Sequence, residues 1–544
     1  MRLGEGATSR LLERAMRLPP PRTRRLAVER DLRATMRDGT VLLADRYTPA
    51  TGDDGLPLLL MRTPYGRRGM FPALLARPLA ERGFQVVVQS TRGGFGSGGT
   101  FDPMRRERDD GLDTLTWLRA QPWAGRSIVL YGMSYLGYVQ WAVADQLPPE
   151  VKALVPVVTE SAITLELLRP DGFSLEVPFE WGVLVATQER RAAMSRQALS
   201  ARRLARSMWT LPLNAADVAA IGRRSDYIQD ILVHDAHSDR WAGIDHSGRV
   251  AATMVPVSSV AGWYDIFLPG QLRDFMALQA AGRPARLTVG PWSHTSSGTA
   301  TTAVHEALEF GLAHARGEPA PERAPVRLYV TGEEAWRDFA SWPPPGYAPV
   351  RFHLHPAGAL SRDAPPDSAA DAYRYDPADP TPAVGGVRMG RGSKAGRVDN
   401  TALEARTDVL TYTTPPLAED LEVIGDVRAE IWFRSSRRDA DVFVRLCDVD
   451  DRGRSYNVCD GLVSLTGADR LTCAAVRLWP TAHRFVRGHR VRVQVSSGAF
   501  PRYNRNLGGG EPRATATTLL AADQHVFHDT GHPSAVVLPV GGQH

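Results

Sequence analysis

The chain has 544 residues, 43% of them hydrophobic, which is enough for several core-bearing domains. Its formal charge is +5, from 65 basic and 60 acidic residues, and arginine supplies all but two of the basic ones. These arginines are dispersed among the acids and form none of the clustered patches of a nucleic-acid surface, and no apolar run reaches the ~20 residues of a membrane span, so neither partner is expected.

Residues 1–26 form an arginine-rich extension with Leu11, Leu12, Met16 and Leu18 ahead of Pro19-Pro20-Pro21. It lacks the apolar segment and small-residue cleavage site of a secretory signal. It reads as a short amphipathic helix that either packs on the body or frays, and the chain is expected to be cytoplasmic. A hairpin turning at Asp38-Gly39 follows. Within 27–160, apolar runs at 58–61, 84–89, 128–131 and 151–158 alternate with helical stretches at 70–82, 107–120 and 135–147. That rhythm predicts a mostly parallel sheet with helices on both faces.

Residues 161–248 break the rhythm with two helix-compatible stretches, 183–208 and 215–233, and no clear strand. A helical insert at this point would lie as a lid over the carboxyl edge of the sheet. Parallel-sheet logic resumes over 249–320, with runs at 254–262 and 286–290. Residues 321–544 carry short alternating runs at 326–330, 350–355, 421–433, 441–449, 474–478 and 490–496, which predict an antiparallel sandwich, a jelly roll. The stretch 356–400 is rich in Ala, Asp, Gly and Pro and reads as a long surface excursion. Cys447, Cys459 and Cys473 are odd in number and lack metal-type spacing, as reduced thiols would be.

The chemistry starts at residues 128–137, an apolar run that turns sharply with Ser134 at the tip. Gly132 lets neighbouring backbone approach, and Gly137 lets the next helix pack on the sheet. This is the nucleophile elbow of an α/β-hydrolase, although its spacing is G-x-S-x-x-G in place of G-x-S-x-G. A serine hydroxyl is a weak nucleophile and needs a base and a group to orient that base, in the chain order Ser, Asp or Glu, His. Gly262-Trp263-Tyr264-Asp265 and Gly290-Pro291-Trp292-Ser293-His294 end two later strands and supply both in that order.

The remaining histidines offer less. His234 and His237 flank Asp235 without a convincing third ligand, so no metal is expected. His353 and His355 share one face of a strand, and His483 and His489 fall late in the sandwich. For an oxyanion, one donor should be the backbone N–H of Tyr135. The loop 62–66 offers the Tyr65 phenol as a second donor, protonated at neutral pH, or else as a packed loop residue. Trp181, Trp263 and Phe267 are candidate pocket walls.

The segments Arg62-Thr63-Pro64-Tyr65, Gly132-Met133-Ser134-Tyr135-Leu136-Gly137, Gly262-Trp263-Tyr264-Asp265 and Gly290-Pro291-Trp292-Ser293-His294 together resemble the cocaine esterase-like (CocE/NonD) hydrolases. These are relatives of the X-Pro dipeptidyl-peptidases and α-amino-acid ester hydrolases. Met36-Arg37-Asp38-Gly39, Gln89-Ser90-Thr91-Arg92-Gly93, Gly96-Ser97-Gly98-Gly99, Trp336-Arg337 and Asp408-Val409-Leu410-Thr411-Tyr412-Thr413 extend the likeness over roughly residues 27–540.

The resemblance implies Ser134 as nucleophile, His294 as general base and then acid, and Asp265 as orienter. It implies Tyr65 O–H and Tyr135 N–H as the oxyanion hole, and G-x-S-Y-x-G as the family's own elbow. The implied fold class is α/β: an α/β-hydrolase core, an inserted helical cap and a C-terminal all-β jelly-roll domain. In relatives that hold a substrate ammonium, clustered carboxylates do so. Glu176, Glu180 and Asp171 are candidates for that role, or acids on a solvated face.

The expected function is a cofactor-independent serine hydrolase that cleaves an ester or amide of a small molecule through an acyl-enzyme. The alternatives are an X-Pro dipeptidyl-peptidase, an α-amino-acid ester hydrolase or acylase, and, from another class, a non-catalytic protein binding through its sandwich. The oligomeric state is left open, a homodimer included.

Overall fold

A computed structural model describes residues 5–51, 55–163, 172–189, 197–234, 238–389 and 395–542. Its first sheet has ten strands: β1 (Leu26–Thr35), β2 (Val41–Pro49), β3 (Leu58–Thr63), β4 (Gln85–Ser90), β5 (Ile128–Met133), β6 (Val151–Val157), β7 (Val257–Tyr264), β8 (Ala285–Ser293), β9 (Val326–Val330) and β10 (Ala335–Phe339). Their order across the sheet is β1-β2-β4-β3-β5-β6-β7-β8-β9-β10. The pairs from β4 through β9 are parallel, and the outer pairs are antiparallel. Every residue of β3, β4 and β7 is buried, as continuous apolar runs require when helices cover both faces. The parallel order matters for function because it brings the carboxyl ends of β3, β5, β7 and β8 to one edge.

The N-terminal extension packs on the body. Its helix (Glu5–Ala15) leads into Met16 and Leu18, both buried, and the buried Ser9 hydroxyl donates to Glu81. Arg22 N–H donates to the Glu81 carbonyl at 2.8 Å. Among the described residues no helix is long and apolar enough to cross a membrane.

The insert is helical but more broken than its periodicity predicts. Described helices run Glu176–Thr187, Gln197–Ser207, Ala216–Ile221 and Asp226–Val233. The expected helix over 215–233 is cut at Gly222, which takes a left-handed conformation (φ 77°) and terminates the helix there. Asp217 then accepts from Ser225 N–H at 2.8 Å and locks the corner.

Two expectations beyond residue 320 are corrected. Val326–Val330, read as a sandwich strand, pairs in parallel with β8 and extends the hydrolase sheet. Its alternation arises because Val326, Leu328 and Val330 are buried while Arg327 and Tyr329 are only partly so. The stretch 356–400 is no mere surface excursion. Asp371–Tyr375 pairs with Ala522–Phe527, and Tyr373 and Tyr375 are buried. The rest of the C-terminal part forms the expected all-β sandwich, its sheet ordered from Asp371–Tyr375 at one edge to Ser455–Thr466 at the other.

One contact between sheet and helix is tight enough to test. A Cβ on Gly137 would lie 2.4 Å from Thr159 Cγ2 and 2.7 Å from Thr159 Cβ. Gly137→Ala is therefore expected to lose about 1–3 kcal/mol in urea unfolding, and an unchanged midpoint would show that the helix can move aside.

Candidate active site

Ser134 stands between the end of β5 and the helix Tyr135–Trp141, with φ 57° and ψ −123°. A residue with a Cβ resists this left-handed backbone, at a cost of order 1–3 kcal/mol, so the surroundings must hold it. Ser134 N–H donates to Val157 O at 2.8 Å, and Ser134 O accepts from Gly137 N–H at 2.8 Å and Tyr138 N–H at 3.0 Å. Leu136 packs so closely over Gly132 that a Cβ there would sit 2.2 Å from Leu136 Cβ. The close approach to the loop after β6 therefore falls on position 137, which accounts for the longer elbow spacing.

His294 follows β8, where Ser293 N–H is held by Ser296 Oγ at 2.9 Å. Its Nε2 lies 3.0 Å from Ser134 Oγ, and its Nδ1 lies 2.7 Å from Asp265 Oδ2. Asp265 is fully buried, and its other oxygen accepts from Phe267 N–H at 2.8 Å. A carboxylate only accepts, so the imidazole proton sits on Nδ1 and the Nε2 lone pair faces the serine hydroxyl. The backbone of Asp265 is held from a distance, because Trp479 of the sandwich donates its indole N–H to Asp265 O at 3.0 Å. The Trp479 ring in turn lies under the Arg502 guanidinium at 5.0 Å, and Arg502 pairs with buried Asp460.

Tyr65 lies on the loop after β3, its N–H capped by Thr63 Oγ1 at 3.0 Å. Its phenol makes a side-chain hydrogen bond with Ser134, and burial pushes its pKa up, so it stays protonated. Trp181 of the insert donates its indole N–H to Tyr65 Oη at 2.9 Å.

Tyr135 is the first residue of its helix, where backbone N–H groups have no internal acceptor. Its side chain points under the elbow. Tyr135 Oη donates to Glu107 at 2.7 Å and accepts from Met104 N–H at 2.8 Å. Burial raises the Glu107 pKa, against the nearby Arg62 guanidinium, which lies 3.0 Å from it.

Of the candidate pocket walls, Trp181 stands against Tyr65, and Phe267 meets the His294 ring edge to face at 5.6 Å. Trp263 points elsewhere. It donates to Tyr329 O at 2.7 Å and packs on Trp342, and among the described contacts none joins it to the serine or histidine. Glu176 is ion-paired with Arg388 of the sandwich, Nε donating at 2.8 Å. Glu180 is pushed up to about 7, chiefly by burial and then by the Glu176 charge. Asp171, Asp235 and His237 lie outside the described residues. His234 Nδ1 lies 3.1 Å from its own helix's Asp230 O.

Sequence reasoning did not find Trp479, Glu107 or Arg388. None stands in a motif of its own, and each acts on a residue distant in the chain.

A serine elbow with imidazole and carboxylate at successive carboxyl strand ends defines a serine hydrolase of the α/β-hydrolase class. Residues 38–296 match the X-Pro dipeptidyl-peptidase (S15 family) model, and residues 321–537 match the X-Pro dipeptidyl-peptidase C-terminal non-catalytic domain. The cocaine esterase of Rhodococcus sp. (strain MB1 Bresler) is 33% identical, over 94% of this chain and 98% of its own. Among solved structures, an aminopeptidase from a marine sediment Thaumarchaeota archaeon shares the fold with a TM-score of 0.81, at 21% identity over 95% of this chain and 97% of that one. An α-amino acid ester hydrolase does so with a TM-score of 0.78, at 22% identity over 95% and 96%. The chain belongs to the cocaine esterase-like hydrolases of the S15 family, and it is a serine hydrolase of ester or amide bonds.

The geometry around the imidazole makes one strong prediction. Asp265→Asn would turn the acceptor facing Nδ1 into an amide and favour the wrong tautomer. It is expected to lower kcat about 10³–10⁴-fold in an ester assay, with folding retained by circular dichroism.

Proposed function

We propose that the chain is a carboxylic ester hydrolase for small, uncharged acyl groups, with Ser134, His294 and Asp265 as its triad. The observation that carries this reading is the imidazole, whose Nε2 faces Ser134 Oγ at 3.0 Å while Nδ1 is committed to Asp265. In this reading Ser134 Oγ attacks the substrate carbonyl as His294 Nε2 takes its proton. The carbonyl oxygen becomes an oxyanion, stabilised by Tyr65 O–H and Tyr135 N–H. His294 then gives the proton to the leaving alcohol, and the acyl group stays on Ser134. Water, activated by the same imidazole, releases the acid and restores the serine.

The chain divides in this reading into an N-terminal extension (1–26), a core in two parts (27–160 and 249–320), an inserted cap (161–248) and a sandwich part (321–544) that lends β9 and β10 to the core sheet.

The preference for an ester without an ammonium rests on the insert's carboxylates. Glu176 is ion-paired with Arg388, and the Glu180 pKa is raised to about 7, chiefly by burial and then by the Glu176 charge. A substrate ammonium would have to compete with the Arg388 guanidinium for Glu176. Identity of 33% with an enzyme named cocaine esterase supports cleavage of an ester.

A panel of neutral aryl esters, α-amino-acid esters and X-Pro anilides, with Ser134→Ala as the blank, tests the reading. Neutral esters should turn over fastest, and Ser134→Ala should lose several orders of magnitude in kcat. Faster cleavage of X-Pro anilides or amino-acid esters would transfer the assignment to those activities. A wild-type chain that does not label with a fluorophosphonate would argue for a binding protein instead. Separately, Tyr65→Phe should lower kcat about 10- to 1,000-fold with folding retained by circular dichroism, and an unchanged rate would remove Tyr65 from the oxyanion hole.

A further inference from the structure

Trp181 touches both tyrosines of the proposed oxyanion hole, in two different ways. Its indole N–H donates to Tyr65 Oη at 2.9 Å. Its ring stacks on Tyr135, with centroids 6.0 Å apart and planes 12° from parallel. The indole is itself held by Tyr227, edge-on at 4.8 Å, and by Phe101 at 6.5 Å. Only 9% of it is exposed. The same helix (Glu176–Thr187) grips the loop a second time at its end, where Gln188 Nε2 donates to Pro64 O at 2.8 Å.

A phenol has one proton to give and lone pairs to accept with, whereas an indole N–H can only donate. With Trp181 donating into Oη, the phenol proton cannot point back at the indole. The hydrogen-bond partner on the other side is Ser134, where a carbonyl oxygen would take on charge. A donor into Oη also polarises the O–H, because hydrogen bonds in a chain strengthen one another.

We propose that Trp181 is a positioning residue: its indole N–H orients and polarises the Tyr65 hydroxyl, so that the inserted helix assembles one half of the oxyanion hole. This rests on the assignment of Tyr65 above. It differs from a role as pocket wall, because a wall binds ground state and transition state alike and shows itself in KM. An oriented oxyanion donor acts in the transition state and shows itself in kcat.

The test is a double-mutant cycle on a small neutral aryl ester, using Trp181→Phe, Tyr65→Phe and the pair. Trp181→Phe keeps an aromatic ring and removes the N–H. It is expected to lower kcat about three- to tenfold, the effect of one neutral hydrogen bond, with KM changed less than twofold and independent of acyl size. In the Tyr65→Phe background the same change should have no further effect on kcat. Trp181→Leu, with kcat normalised to folded protein by near-ultraviolet circular dichroism, repeats the readout should the phenylalanine variant pack poorly.

Equal losses from Trp181→Phe in both backgrounds would overturn the positioning role while leaving Tyr65 in place. A rise in KM that grows with acyl size, at constant kcat, would make Trp181 a pocket wall and overturn the proposal. If Tyr65→Phe alone changes nothing, the oxyanion assignment beneath the proposal falls first.

Discussion

The strained backbone at Ser134 is the constraint on which the rest of this molecule depends. A serine at φ 57° and ψ −123° survives only where the chain on either side cannot relax. Here the buried strand β5 holds one side, and a helix seated against Thr159 holds the other. The hydrogen bond to Val157 ties the turn to β6, the neighbouring strand. A parallel sheet with both faces covered supplies that rigidity, and it also brings the loops after β3, β7 and β8 to the same edge. The tip of the elbow is therefore where a hydroxyl, an imidazole, a carboxylate and a phenol converge.

Two parts of the chain outside the sheet then reach in with the same chemical tool. The insert sends the Trp181 indole N–H to Tyr65, and the sandwich sends the Trp479 indole N–H to the carbonyl of Asp265. An indole is large and stiff and donates only through its N–H, so once its ring is packed its hydrogen bond has a single direction. The Trp479 anchor is reinforced by the buried Arg502–Asp460 pair, which fastens it to the sandwich. The all-β part is thus a structural support of the site as well as a neighbour of it. Arg388, from the same part, also pairs with Glu176 of the insert.

What could be read along the chain follows a physical rule. Strands buried on both faces, such as β4 and β7, carry uninterrupted apolar runs and were legible at once. The alternating burial of β9 resembles that of a sandwich strand, and nothing local says which sheet it joins. A hydrophobic period over 215–233 does not register that Gly222 turns left-handed and ends the helix. Asp371–Tyr375 lies within a composition typical of loops, and its strand character depends on pairing with the strand Ala522–Phe527.

The sequence by itself determined which hydroxyl, carboxylate and imidazole stand at strand ends, and in what order. Ser134, Asp265 and His294 each sit where a local apolar run stops, and such runs need only short-range information. Tertiary structure alone decided what surrounds them. Trp181 lies 116 residues from Tyr65, and Trp479 lies 214 residues from Asp265. Contacts at that separation arise from how the insert and the sandwich pack on the sheet edge, so no pattern within either segment encodes them.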